Sequence, residues 1–118
     1  MQTFLFTDIE GSTRLWEQYP EEMAAALSRH DAILASAIAE ARGHVVKTTG
    51  DGILARFNSA EDSLAAAVDA QRLLRAEAWG VTGPLRVRMG VHTGESQERD
   101  GDYFGPTLNR TARIMAAG

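Results

Sequence analysis

The sequence predicts an α+β domain with a βαββαβ core, and three observations predict it. A near-continuous apolar run opens the chain at residues 2–7. Two longer segments carry apolar residues at helical spacing. Between those segments, two strand-like stretches flank the turn Gly50-Asp51-Gly52.

The first strand is assigned to residues 2–7, where Phe4, Leu5 and Phe6 predict burial on both faces. It ends at Asp8, and the polar turn Glu10-Gly11-Ser12-Thr13 leads into a short helix with Ser12 or Thr13 as its cap. Pro20-Glu21-Glu22 starts a long helix, since proline suits a first helical position and acidic residues suit the positive end of the helix dipole. Met23, Leu27, Leu34 and Ile38 form its apolar stripe, and Gly43 is its expected stop.

Residues 44–49 and 53–57 read as two strands of a hairpin. Ser59-x-x-Asp62 resembles a capping box opening the next helix, with Leu64, Val68 and Leu74 expected on its core side. After a break at residues 80–84, residues 85–91 alternate apolar and basic side chains, the pattern of a strand with one solvated face. Residues 94–101 are polar and read as a loop or exposed hairpin, and Gly105-Pro106 leads into a final helix at residues 107–117. The resulting order is the split βαββαβ unit of ferredoxin-like domains.

Composition narrows the function. At 118 residues the chain has the size of one domain, residues 1–118, and 44% hydrophobic with 24% charged residues is ordinary for a folded globular protein. A net charge of −4 argues against a nucleic-acid binder working through a broad basic face. The absence of cysteine excludes a disulfide scaffold, a thiolate metal site and a cysteine nucleophile. No apolar stretch approaches the roughly 20 residues of a membrane span, and no basic n-region opens the chain, so the expected location is cytoplasmic.

Chemistry concentrates at a few positions. Asp8 stands where the first strand ends and Asp51 at the hairpin tip, so sheet neighbours would bring the two carboxylates to one edge. Hard oxygen donors without histidine or cysteine beside them favour Mg²⁺ or Mn²⁺. Taken singly, each aspartate also fits a plain turn or helix cap. The Glu10-Gly11-Ser12-Thr13 turn offers backbone N–H groups and a helix dipole to an anion, although it lacks the Walker signature and also fits an ordinary capped turn. Asn109 and Arg113, four apart, share one face of the final helix, suited either to a sugar and a phosphate or simply to solvent. Lys47 fits a base-edge contact, a carboxylate pair or a solvated strand position. His30, His44 and His92 show no metal-ligand spacing and read as structural or surface residues, and Trp16 and Trp79 as packing residues.

Four segments in fixed order, FLFTDIEGSTRLWE, VVKTTGDGILARF, RMGVHTGE and GDYFGPTLNRTARIMAAG, resemble the catalytic domain of the class III nucleotidyl cyclases, the adenylate/guanylate cyclases of bacterial type. The resemblance covers essentially the whole chain. It implies formation of a 3′,5′-cyclic nucleotide and pyrophosphate from a nucleoside triphosphate with two Mg²⁺ or Mn²⁺ ions. By similarity, Asp8 and Asp51 bind the metals, the Ile9 carbonyl assists, and residues Ile9, Glu10, Gly11, Ser12 and Thr13 turn backbone N–H groups to the terminal phosphates. Lys47 and Asp102 would read the purine. A lysine donor to N1 and an aspartate acceptor for the 6-amino group fit adenine, so ATP is the expected substrate and GTP the alternative. Asn109 would orient the ribose, and Arg113 would stabilise charge at the α-phosphate.

The resemblance further implies a head-to-tail homodimer. One chain gives each site its aspartates, and the other gives the lysine, asparagine and arginine. Sensor or ATPase segments often accompany such domains, and none is visible here. Family domains continue past the Asn/Arg helix with strands carrying a further phosphate-binding lysine, and this chain stops at Gly118. That departure implies weak activity or none for the 118 residues, and it keeps a nucleotide-binding or dimerising pseudo-cyclase in view as the rival. A diguanylate cyclase is disfavoured because the tip Thr49-Gly50-Asp51-Gly52 lacks the Gly-Gly-Asp/Glu-Glu-Phe hairpin of that family.

Overall fold

In the computed structural model, residues 2–94 are described in full, together with the backbone of residues 97–99 and 102–104. Strand β1 (Gln2–Ile9) is followed by helices α1 (Ser12–Gln18) and α2 (Pro20–Glu40), strands β2 (His44–Thr49) and β3 (Gly52–Phe57), and helix α3 (Ala60–Ala76). A 3₁₀ turn (Gly80–Thr82) then leads to β4 (Val87–Gly94), β5 (Gln97–Arg99) and β6 (Asp102–Phe104). The main sheet has the order β2-β3-β1-β4 with every pairing antiparallel, and β5 and β6 form a separate ribbon. The predicted βαββαβ order is thus realised, with β3 inserted between β1 and β2 as the split unit requires.

Alternation along β1 sorts its side chains onto two faces. Leu5 and Ile9 join Ile53, Ala55 and Phe57 of β3 and Val87 of β4 against the helices. The helices answer with Met23, Ile33, Leu34 and Ile38 of α2 and Ala66, Ala70 and Leu74 of α3. Phe4 and Leu54 form a second cluster, with Phe6 and Val46 packed on it. They occupy the alternate positions of β1 and β3, and so belong to the opposite face of the sheet.

Several expectations need correction in detail. The first strand runs two residues further than predicted, so Asp8 is a strand residue. Neither Ser12 nor Thr13 caps α1, because Gly11 holds the cap position in left-handed conformation with φ 67°. Ser59 does cap α3 by accepting the Asp62 N–H at 3.1 Å, as predicted. Leu64 and Val68, however, are exposed. The buried stripe of α3 is made of Ser63, Ala66, Ala70 and Leu74, three of them small, and it packs against α2 and the sheet. Trp16 is exposed, whereas Trp79 is half-buried and donates its indole N–H to the Leu74 carbonyl at 2.8 Å. His30 is buried in α2, with Nδ1 2.8 Å from an Asp31 carboxylate oxygen.

The end of α2 departs from expectation for a packing reason. Arg42, not Gly43, adopts positive φ (63°), while the Gly43 N–H reaches the Ile38 carbonyl at 2.8 Å and the Arg42 N–H the Ala39 carbonyl at 3.0 Å. This is a Schellman closure with arginine in the left-handed position. The glycine is needed one residue later, where a Cβ would lie 2.3 Å from the Phe57 ring.

Candidate active site

The register of β1 and β3 decides where the two aspartates stand. Thr7 pairs with Ile53, which sets Gly52 beside the Asp8 position and Asp51 immediately beyond it. Two local contacts fix this end of the sheet. The Thr7 hydroxyl accepts the buried Ile53 N–H at 3.2 Å, and a Cβ on Gly52 would come within 2.6 Å of the Thr7 carbonyl oxygen. Only glycine lets the hairpin tip press this closely on β1. Gly50, the first turn residue, takes φ 59°, which suits a two-residue hairpin opened by glycine. Asp8 and Asp51 therefore share one end of the sheet.

Asp8 lies on the face opposite the helices, in the alternate set with Phe4 and Phe6. Its cross-strand partner on β4 is Arg88. The guanidinium grips the carboxylate at both oxygens, Nε to Oδ1 at 2.8 Å and Nη2 to Oδ2 at 2.7 Å. That hydrogen bond is the main reason the Arg88 pKa is raised, and the charges of Asp8, Glu10 and Asp51 add to it. Three acidic side chains thus act on one cation at this end of the sheet. In the sequence pattern Arg88 reads as one of the basic residues on the solvated face of a strand. The readable signal was the pairing of an acidic with a basic strand position, which needs the register to be known.

The donor set here is all carboxylate and backbone oxygen, the chemistry that magnesium and manganese prefer. The place already accommodates a cationic group, the Arg88 guanidinium, against Asp8. The residues therefore fit a divalent cation. Among the described residues no group of three or more histidine, cysteine or acidic side chains forms a ready cage. A Mg²⁺ site of one or two carboxylates completed by substrate phosphates needs no such cage.

The remaining predicted positions divide clearly. Ile9 is buried by its side chain and can offer only backbone. In the adjoining turn, the Glu10 N–H donates to the Arg86 carbonyl at 2.8 Å, which leaves Gly11, Ser12 and Thr13 as the amides available to an anion. Lys47 reaches the same face as Asp8 through an irregularity that sequence periodicity could not show. A register shift between Val45 and Lys47 pairs Val45 with Ala55 and Lys47 with Leu54. Without the extra residue, alternation would have turned Lys47 toward the helices. Asp102 belongs by its backbone to β6, opposite Arg99, and β6 runs beside β2. Asn109 and Arg113 lie outside the described residues.

A groove lined by Ala67, Val68, Gln71, Arg75 and Met89 opens on the helix side of the sheet. Met89 pairs with Thr7, so the groove is on the other face from Asp8 and Arg88. No helix among the described residues is long and apolar enough to cross a membrane.

Residues 2–118 match the model of the adenylate and guanylate cyclase catalytic domain. An uncharacterized protein of Mycobacterium tuberculosis is 44% identical over 114 residues, covering 95% of this chain and 38% of the relative. An adenylate cyclase of Neurospora crassa is 34% identical over 139 residues, covering 97% of this chain and 6% of that protein. The chain thus spans little more than a third of the former and a small fraction of the latter. Among solved structures, an adenylate/guanylate cyclase/hydrolase from Silicibacter pomeroyi superposes with a TM-score of 0.77 at 37% identity, covering 98% of this chain and 68% of that one. Adenylate cyclases from Trypanosoma brucei, solved in their monomeric state, reach a TM-score of 0.88 at 26% identity, covering 97% and 68%.

Proposed function

Because this chain belongs to the adenylate and guanylate cyclase catalytic-domain family, we propose that it forms 3′,5′-cyclic AMP and pyrophosphate from ATP at a site shared between two copies. The observation that carries this reading is the convergence of Asp8 and Asp51 at one sheet end, on either side of the Gly52–Thr7 contact. When bound there, two Mg²⁺ or Mn²⁺ ions would lower the pKa of the ribose 3′-hydroxyl and offset the charge of the phosphates.

The protein's own groups divide the remaining work. Asp8 and Asp51 hold the metals, with the Ile9 carbonyl as a further oxygen ligand. The amides of Gly11, Ser12 and Thr13 face the terminal phosphates, as the start of a helix favours anions. Lys47 donates to adenine N1 and Asp102 accepts from the 6-amino group. Guanine presents the reverse pattern there, so ATP is preferred to GTP. The relatives named adenylate cyclase support the same choice. Asn109 orients the ribose, and Arg113 takes up charge that develops at the α-phosphate.

Each site draws Asp8 and Asp51 from one protomer and Lys47, Asn109 and Arg113 from its partner, so an isolated protomer is inactive. The apolar surface beside the carboxylates supports this arrangement, since Phe6 and Val46 lie only partly covered over Phe4 and Leu54. We place the domain in the cytoplasm, where its nucleotide is found.

One experiment tests the reading as a whole: Mn²⁺-dependent conversion of ATP to cyclic AMP by the wild type, by Asp51→Ala and by Arg113→Ala. Losing a metal ligand, or the arginine that takes up charge at the α-phosphate, removes several kcal/mol of transition-state stabilisation, so each variant alone should fall by about a hundredfold or more. Mixing the two variants should restore activity, because a mixed dimer rebuilds one intact site. Unchanged activity in Asp51→Ala would refute the metal assignment, and failure of the mixture to recover would refute the shared site. Preference for GTP in direct competition would overturn the reading of Lys47 and Asp102.

A further inference from the structure

We infer that Arg88 competes with the divalent cation for Asp8, so that this chain binds metal more weakly than its two carboxylates would allow. The inference rests on the metal site proposed above and concerns what guards it. Both Asp8 oxygens are engaged by the guanidinium, at 2.8 and 2.7 Å. A magnesium ion coordinates a carboxylate oxygen at about 2.0–2.1 Å and demands near-ideal octahedral geometry around itself. A guanidinium holding both oxygens takes up one lone-pair direction on each and sets a positive charge beside the others. Like charges also repel at that range. Metal entry therefore works against the charge of Arg88 and competes with its two bonds for the Asp8 oxygens.

The fork is built into the sheet and does not arise from a chance meeting of long side chains. Asp8 and Arg88 are direct cross-strand partners on β1 and β4, in the uninterrupted ladder from Gln2↔Gly94 to Ile9↔Val87. Both side chains are partly shielded, with side-chain exposures of 23% and 32%. Paired, planar and charge-assisted hydrogen bonds of this kind are the strong members of their class. Arg88 thus acts as a positioning residue. It holds Asp8 in a single orientation while no metal is present, and it sets a threshold that the metal must overcome.

The test titrates the nucleotide-free protein with Mn²⁺, following the free-ion signal by electron paramagnetic resonance. Wild type, Arg88→Gln, Arg88→Lys and Asp51→Asn are compared, with thermal unfolding to establish that each is folded. Arg88→Gln should bind Mn²⁺ about tenfold more tightly than wild type, within the range usual for coupled sites. Arg88→Lys keeps the charge but loses the planar fork, so its affinity should fall between the two. As a second readout, Mn²⁺ should raise the melting temperature of Arg88→Gln at lower concentration than that of wild type. If Arg88→Gln does not fold, the lysine variant carries the same test.

Arg88→Gln binding no tighter than wild type, while Asp51→Asn still weakens binding, overturns the competition and leaves the metal site standing. Arg88→Lys matching wild type overturns the fork in favour of charge alone. If Asp51→Asn binds Mn²⁺ as wild type does, the metal site itself is wrong and the competition falls with it.

Discussion

The two faces of one sheet follow different rules, although the same strands build both. On the helix side, Leu5, Ile9, Ile53, Ala55 and Phe57 pack in one apolar cluster with residues of α2 and α3. On the other side, Phe4 and Leu54 share the surface with Asp8, Arg88 and Lys47. A residue's function here depends on whether its strand position is odd or even, and one register slip would exchange the two roles. The helix side supplies stability through burial. The opposite side places charge where a ligand can reach it.

That contrast can be broken deliberately. The largest effect on folding should come from Leu34→Ala, which removes a fully buried side chain from the α2 contact with the sheet. It should lower the unfolding free energy by about 2–5 kcal/mol in chemical denaturation. Metal affinity of the molecules that remain folded should not change. A variant of the helix side that altered Mn²⁺ affinity as strongly as Asp51→Asn would show that the two faces are not separable.

A smaller effect sharpens the picture at the end of α2. Arg42 carries a positive φ that glycine adopts more easily, and its ion pair with Asp62 is long, at 3.6 Å, and exposed. Arg42→Gly relieves a conformational cost of roughly 1–2 kcal/mol but loosens the unfolded chain. The net gain in thermal unfolding should be at most about 1 kcal/mol, with no effect on metal binding. A loss of stability would mean that the arginine side chain does more than close the helix.

The sequence made the strand and helix order legible because periodicity, capping and turn chemistry agreed. Ser59 with Asp62, Pro20 at its helix start and the glycine-flanked Asp51 are local signals, and local signals survive folding. The features that escaped depend on tertiary register. Leu64 and Val68 fit a helical apolar stripe as well as Ala66 and Ala70 do, and only the packing of α3 buries the smaller set. Gly43 read as a helix stop, yet its lack of a Cβ serves the Phe57 ring. Lys47 changes face through one extra residue in β2. Arg88 gained its role from a strand partner eighty residues away. The aspartates could be named from the sequence, whereas the arginine that grips one of them could not.

The most direct test is a crystal structure of the protein soaked with Mn²⁺ and an ATP analogue that cannot cyclise, read by the anomalous signal of the metal. Manganese held by the Asp8 and Asp51 carboxylates, with the Arg88 fork opened, is the predicted result. Manganese bound elsewhere, with Asp8 still clasped at both oxygens, would contradict it.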